Sequence, residues 1–347
     1  MKEAFLETLA CISCRGEDLR LEIEEQEADG EIITGKVICS TCGAEFPITR
    51  GVMRTVESDD YVGNFSFEWQ LHRKTQIDTE TDDSSYRAFK SRIEVDPADL
   101  ADLKVLDVGV GTGRFADPVS RGGAHVTGID LSLAVETAME NVGRRPHTNI
   151  IQANCFDLPF RKESFDFIYS IGVLHHTPDC KQAFLSLLPY MKPGGTIAIW
   201  VYNAHVWSPG SVLESVNRIY RSVTTRLPPY LLYALCLCEL PLYYLRKIPG
   251  FDQMLHLLLP GILYHAIPKT NDSTKVREHI LDTFDWYSPK YQSKHTIMEV
   301  FDWFEKAGLT NIRVIQEPVA LSGRKPELDE RPEVAVRDES AETALSS

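Results

Sequence analysis

Positive charge is in short supply in this chain. Its 347 residues carry 36 Lys and Arg against 50 Asp and Glu, a formal net charge of −14. That balance argues against a general affinity for phosphate backbones, so nucleic acid is not an expected partner. No cationic, apolar leader ending in small residues opens the sequence; Met1-Lys-Glu-Ala-Phe-Leu-Glu carries acids instead, and a cytoplasmic location is expected. A clean apolar run of the roughly 20 residues that a membrane-crossing helix needs is also missing, because Glu239 and Pro241 break the best candidate. No Gly-Lys-Ser/Thr follows the glycine-rich segment, which excludes a P-loop. The 8 cysteines do not form a disulfide framework: four fall into two pairs, and Cys155, Cys180, Cys236 and Cys238 are scattered as small hydrophobes would be.

What is present starts with Val105-Leu-Asp-Val-Gly-Val-Gly-Thr-Gly-Arg-Phe115. An apolar strand runs to Asp107, then glycines stand at alternate positions, 109, 111 and 113. At such a turn a ligand can lie directly on backbone, because a Cβ would block it. A second strand closes on Asp130, about 20 positions after the first glycine, where a doubly wound fold places a carboxylate for ribose hydroxyls. Asp130-Leu-Ser132 also suits a helix N-cap, and the two roles are compatible.

From here the chain resembles the class I S-adenosylmethionine-dependent methyltransferases. Val105–Phe115 looks like their first motif and His125-Val-Thr-Gly-Ile-Asp130 like the end of their second strand. Gln152–Phe160 looks like the adenine-contacting motif. Phe165–Asp179 resembles the fourth strand and its loop, and Lys192–Tyr202 the fifth strand. The likeness covers residues 100–205 and resumes over 296–325. It implies an α/β, Rossmann-like sheet of seven strands in the order 3-2-1-4-5-7-6. It also implies S-adenosylmethionine held by Asp107, Gly109, Gly111, Gly113, Asp130, Leu131, Asn154, Cys155 and Ser170. Two positions depart from the family pattern. Val110 stands where a small residue or Cys is common, which is tolerable if its side chain points into the sheet. Asn154 replaces the usual acid; its amide oxygen can still accept a proton from the adenine amino group. Asp157 is a second candidate for that contact.

Cys11-Ile-Ser-Cys14 and Cys39-Ser-Thr-Cys42 form two identical pairs 24 residues apart. Four thiolates at that spacing suit a tetrahedral structural zinc and leave no open position for a substrate. Alternating stretches between them predict ribbon strands near 18–23 and 31–38. Residues 5–56 resemble small zinc-ribbon proteins that partner RNA and protein methyltransferases. That resemblance implies a docking or supporting module.

The expected organisation is therefore a zinc ribbon over 1–56 and a helical linker over 57–99, in which Trp69 and Gln70 either cover the cofactor, as the resemblance implies, or belong to a surface helix packed on the sheet. A methyltransferase core spans 100–203 and 296–325. Inserted after its fifth strand is an apolar helical cap, 204–295, and a disordered tail follows, 326–347. The cap is unusual. Only Glu239, Arg246, Lys247 and Asp252 are charged between Leu227 and Pro268. It suits a lid over an apolar pocket or a helix lying on a membrane surface.

The chemistry expected is methyl transfer to a small, apolar or lipid-linked acceptor. An RNA or protein methyltransferase that docks through the ribbon is the alternative, and a non-catalytic cofactor-binding protein the third. No Asn-Pro-Pro-Tyr tetrad follows the fourth strand, where Ser170-Ile-Gly-Val stands. His175 and His176 are candidates for a general base, although His176 and Asp179 also suit a helix start. Further candidates are Tyr202, His205, His265 and Tyr287. The dense Asp282–Pro289 run is expected as a loop before the last helix.

Overall fold

A computed structural model describes residues 1–57, 60–204, 212–238 and 273–327. His205, His265 and the tail beyond 327 lie outside the described residues.

The central strands are β5 (Lys104–Val108), β6 (His125–Asp130), β7 (Thr148–Gln152), β8 (Phe165–Ile171) and β9 (Met191–Trp200), followed by β10 (Thr310–Val314) and β11 (Ala320–Arg324). Their order is β7-β6-β5-β8-β9-β11-β10, the expected 3-2-1-4-5-7-6. All pairs from β7 to β9 are parallel, and β11 joins β9 antiparallel. Alternation along these strands serves two cores. Leu106, Ile129, Ile151, Ile168 and Ile199 enter one buried cluster; Val105, Val126, Ile150, Phe167 and Ala198 enter the other. Strands buried on both faces need apolar residues throughout, which is why the sequence reads there as near-continuous hydrophobic runs.

The sheet is larger than expected. The ribbon strands β1 (Leu19–Gln26), β2 (Ile32–Cys39), β3 (Glu45–Thr49) and β4 (Val52–Arg54) continue it to eleven strands. The join is parallel, with Met53 beside Ile151 and Arg54 beside Gln152. Side chains reinforce it: Arg54 donates to Gln152 and, at 2.7 Å, to Glu136. Phe5, Leu9, Ile32, Val37, Ile48 and Met53 belong to the same buried cluster as Leu106 and Phe184.

Helix α1 (Gly63–Leu71) lies over the glycine turn, and the Ser66 hydroxyl accepts the Leu133 N–H at 3.0 Å. In chain order there follow α2 (Ser84–Ile93), α3 (Ala116–Arg121), α4 (Ala134–Ala138), α5 (Cys180–Leu187), α6 (Val212–Thr224), α7 (Pro229–Leu237), α8 (Ser273–Tyr287) and α9 (Ile297–Lys306). The Asp179 carboxylate caps α5 by accepting the Gln182 N–H, and Thr296 caps α9 in the same way at Glu299. The cap helices α7 and α8 pack through Leu232, Cys236, Ile280 and Phe284, with Phe67 of α1 against them. The Asp282–Tyr287 stretch is the last two turns of α8, not a loop. Asp282 and Asp285 then sit one turn apart and face the same side, which the aromatic density of the segment disguised. Among the described residues no helix is long and apolar enough to cross a membrane.

Candidate functional site

The carboxyl ends of β5, β6 and β7 open into a cavity of about 440 Å³, roofed by α1 and α8. One end is built by the glycine turn. Gly109 has φ +85°, and a Cβ there would stand 2.3 Å from Val173, so only glycine fits. Gly111 has φ +53° and open space beyond it, with the Trp69 ring 3.8 Å from where a Cβ would lie. Gly111 donates its N–H to Asp130 Oδ2 at 3.0 Å, and Ser132 donates both its N–H and its hydroxyl to Oδ1 at 2.8 and 2.7 Å. Burial pushes the Asp130 carboxyl up, while those donors oppose the shift. Oδ2, which takes one of these three donors, keeps acceptor capacity for a ligand hydroxyl. Leu131, Ala153, Asn154 and Cys155 continue the wall. Asn154 Oδ1 accepts the Phe156 N–H at 3.1 Å, which leaves one lone pair for a ligand.

Three residues implied as cofactor contacts lie beneath the wall. Asp107 is buried, and loss of solvent, with Asp130 nearby, pushes its carboxyl to about 7. Gly113 packs on Val142, and the Ser170 hydroxyl donates to the Val108 carbonyl at 2.9 Å, holding the end of β5. Val110 is 3% exposed and packs over Gly128, whose missing side chain makes room for it. Asp157 turns outward to pair with Arg15 of the ribbon. Trp69 lines the cavity, as expected of a cover, whereas the Gln70 side chain lies outside the described residues.

The other end of the cavity lies under α8 and is more polar than an apolar cap implies. Glu68, Arg92, Trp200, Tyr202, Asp282 and Asp285 meet there. The Tyr202 hydroxyl reaches Asp285 Oδ2 at 3.5 Å, and the Arg92 guanidinium lies 4.9 Å from the centre of the Trp200 ring. Burial and Asp282 push the Asp285 carboxyl to about 7. His176 lines this end; its Nδ1–H donates to the Tyr291 carbonyl at 3.0 Å, and burial lowers the imidazole to about 4. His175 sits behind, stacked on Tyr202 with ring centres 3.8 Å apart, and burial lowers its imidazole as well. Tyr287 is buried in the cap core. Sequence reasoning missed Glu68 and Arg92, which stand on polar helices with no motif. The pair at 282 and 285 gave the one available signal, carboxylates at helical spacing.

The ribbon cysteines converge. The sulfurs of Cys11, Cys14, Cys39 and Cys42 all lie within 4.8 Å of one another, with Cys11 to Cys42 and Cys14 to Cys39 both 3.6 Å apart. Tetrahedral zinc with Zn–S bonds of ~2.3 Å sets S···S separations near ~3.8 Å, so the donor set fits that ion.

Comparison with known proteins agrees with this division. Residues 106–199 match the family described as methyltransferase domain, and residues 2–51 the family described as Trm112p-like protein. Similar curated proteins include an O-methyltransferase of Aspergillus nomiae, 34% identical over 28% of this chain and 45% of that protein. Phosphoethanolamine N-methyltransferase 2 of Caenorhabditis elegans is 36% identical over 28% of this chain and 23% of its own length. A ubiquinone/menaquinone biosynthesis C-methyltransferase of Bartonella quintana is 38% identical over 28% of this chain and 41% of its own. The chain thus spans less than half of each. With the glycine turn, Asp130 and the strand order, these matches show that the chain joins an S-adenosylmethionine-dependent class I methyltransferase domain to an N-terminal Trm112p-like module.

Proposed function

We propose that this protein transfers a methyl group from S-adenosylmethionine to a small molecule enclosed beneath the cap. The supporting observation is one continuous cavity with Asp130 and Gly111 at one end and Tyr202 and Asp285 at the other. Asp130 would hold the ribose, Leu131 and Asn154 the adenine, and Gly109 and Gly111 the methionyl half. The bound cofactor supplies an electrophilic methyl carbon and its own leaving group. The chain's task is then to align a nucleophile opposite the sulfur and exclude water. Roofing by α1 and α8 suits that task, and Phe65, Trp69 and Trp200 give the acceptor apolar walls. Four thiolates of the ribbon would hold a structural zinc. Calorimetric titration tests the reading: one S-adenosylmethionine should bind per chain, and no heat of binding would end both the enzymatic and the cofactor-binding interpretations.

A lipid-linked acceptor draws support from a separate observation. Val212, Ile219 and Val223 form an exposed stripe on α6, and Tyr230, Leu231 and Leu235 are exposed on α7. Flotation with anionic phosphatidylglycerol vesicles should carry the protein upward. Full retention in the dense fraction would remove the membrane-surface role.

A further inference from the structure

The seam between the ribbon and the core ends directly behind the ribose end of the cavity. β4 lies parallel to β7, and their last residues, Arg54 and Gln152, stand side by side. The Arg54 guanidinium forks there. Nη1 donates to Gln152 Oε1 at 2.5 Å, and Nη2 donates to the Glu136 carboxylate of α4 at 2.7 Å. Thr55 adds its N–H and its hydroxyl to the Gln152 carbonyl, at 2.9 and 3.1 Å. Gln152 is 3% exposed and does not line the cavity. With its side-chain oxygen held by a cation, its amide has one orientation left, and Nε2 donates to the Leu131 carbonyl at 2.9 Å. That carbonyl shares a peptide plane with the Ser132 N–H, which points the opposite way and donates to Asp130 Oδ1 at 2.8 Å. The Leu131–Ser132 peptide is thereby clamped on both sides, by the ribbon-held glutamine and by the Asp130 carboxylate.

We infer that Gln152, locked by Arg54 of the ribbon, is a positioning residue for the cofactor: it fixes the Leu131–Ser132 peptide and, through it, the aim of the Asp130 carboxylate at the ribose. The inference rests on the cofactor reading of the site and deepens it, because it makes the ribbon part of the binding machinery as well as of the core. The contacts exceed what a seam alone needs. Strand pairing and the Thr55 donors already join β4 to β7. Gln152 instead spends Nε2 on the loop after β6, whose residues Asp130 and Leu131 line the cavity. An amide bonded to a guanidinium is polarised, so its N–H is a stronger donor than an isolated one. The adjoining wall is tied in the same manner. Arg15, next to Cys14, donates to the Leu158 carbonyl at 2.9 Å and pairs with Asp157, whose N–H donates to the Asn154 carbonyl at 3.0 Å. Both loops that face the adenosine in this reading are therefore held from behind by ribbon arginines.

The test uses the full chain carrying Gln152→Glu. The new carboxylate keeps an acceptor for Arg54, and with it the seam, but it removes the donor to the Leu131 carbonyl and sets an acceptor against it. Calorimetric titrations compare S-adenosylhomocysteine with its 2′-deoxy analogue. In the wild type the 2′-hydroxyl should be worth about tenfold in affinity. In Gln152→Glu, S-adenosylhomocysteine should bind about fivefold more weakly, while the deoxy analogue stays within about twofold of its wild-type affinity. Thermal scans should place the variant within about 3 °C of the wild-type Tm. Arg54→Met, which frees the amide to turn over, should show a smaller loss of the same selective kind. Unchanged S-adenosylhomocysteine affinity in Gln152→Glu overturns the inference. So does an equal loss of both ligands, which marks a general disturbance of the wall. If Gln152→Glu fails to fold, Arg54→Met decides by the same comparison; if neither keeps a cooperative transition, the pair holds the seam alone and the inference falls. A wild type that binds both ligands equally removes the ribose assignment and the inference with it. A wild type that binds neither removes the methyl-transfer reading instead.

Discussion

Asp130→Ala should lower S-adenosylmethionine affinity by about 100-fold or more, measured by calorimetry on the folded variant. A carboxylate that accepts a ribose hydroxyl makes a charge-assisted hydrogen bond worth about 1.5–3 kcal/mol. The same oxygens also take the Gly111 and Ser132 donors, so the substitution frees the glycine turn from the end of β6. Asp130→Asn keeps one acceptor and should fall between, at about tenfold. A ligand series separates ribose recognition from loop support. Removing the 2′-hydroxyl from S-adenosylhomocysteine should weaken wild-type binding as much as Asp130→Asn does, and should cost the Asn variant little. If the deoxy ligand binds the wild type unchanged, Asp130 is a structural tie for the glycine turn and the ribose assignment is wrong. Acid should act in the same direction. The hydroxyls favour the ionised carboxylate, whose proton affinity is raised by burial, so cofactor affinity should decline as pH falls through its titration.

What the sequence disclosed and what it withheld differ in range. The glycine turn, Asp130 and the cysteine pairs are local. Each depends on backbone freedom or ligand spacing within a few residues, and such signals survive without knowledge of the fold. The order of the parallel strands came from resemblance and agrees with the observed register. The meeting of Glu68 on α1 with Asp285 on α8 was not legible, because it depends on tertiary packing, such as Phe67 on Phe284 with ring centres 6.0 Å apart and the Asn64 side chain donating to the Ser288 carbonyl. The Asp282–Tyr287 run looked like a loop because acids and aromatics dominate it. Its helical state is set by burial of Phe284 and Trp286, not by propensity. The two rings of the His-His pair are placed differently: His176 lines the cavity, His175 lays its face on Tyr202 behind it, and burial lowers both imidazoles. Nor could the sequence show β4 pairing with β7, since edge-strand pairing is a property of two backbones rather than of a motif.

That pairing carries the second large prediction, that removing residues 1–56 will abolish folding of the whole chain rather than detach a tethered module. The ribbon contributes Phe5, Leu9, Ile32, Val37, Ile48 and Met53 to the core that also holds Leu106, Ile168 and Phe184. At about 1.5–3 kcal/mol for each large apolar side chain, their loss amounts to on the order of 10 kcal/mol, comparable with the total stability of a typical domain. Truncation would also bare the edge of β7 and leave Phe160, now buried against Phe5, facing water. The truncated protein should be insoluble or lack a cooperative thermal transition. A milder version of the same loss is Cys39→Ser, which removes one of the four converging sulfurs from the end of β2. If zinc organises the ribbon, this variant and chelator-treated wild type should both lose Tm, by about 10 °C or more, and the variant should no longer respond to added zinc. Calorimetric scans with and without chelator read both effects. A truncated chain that folds and binds S-adenosylmethionine normally would return the ribbon to the role of a separate docking module, and would mean that the continuous sheet adds little to stability.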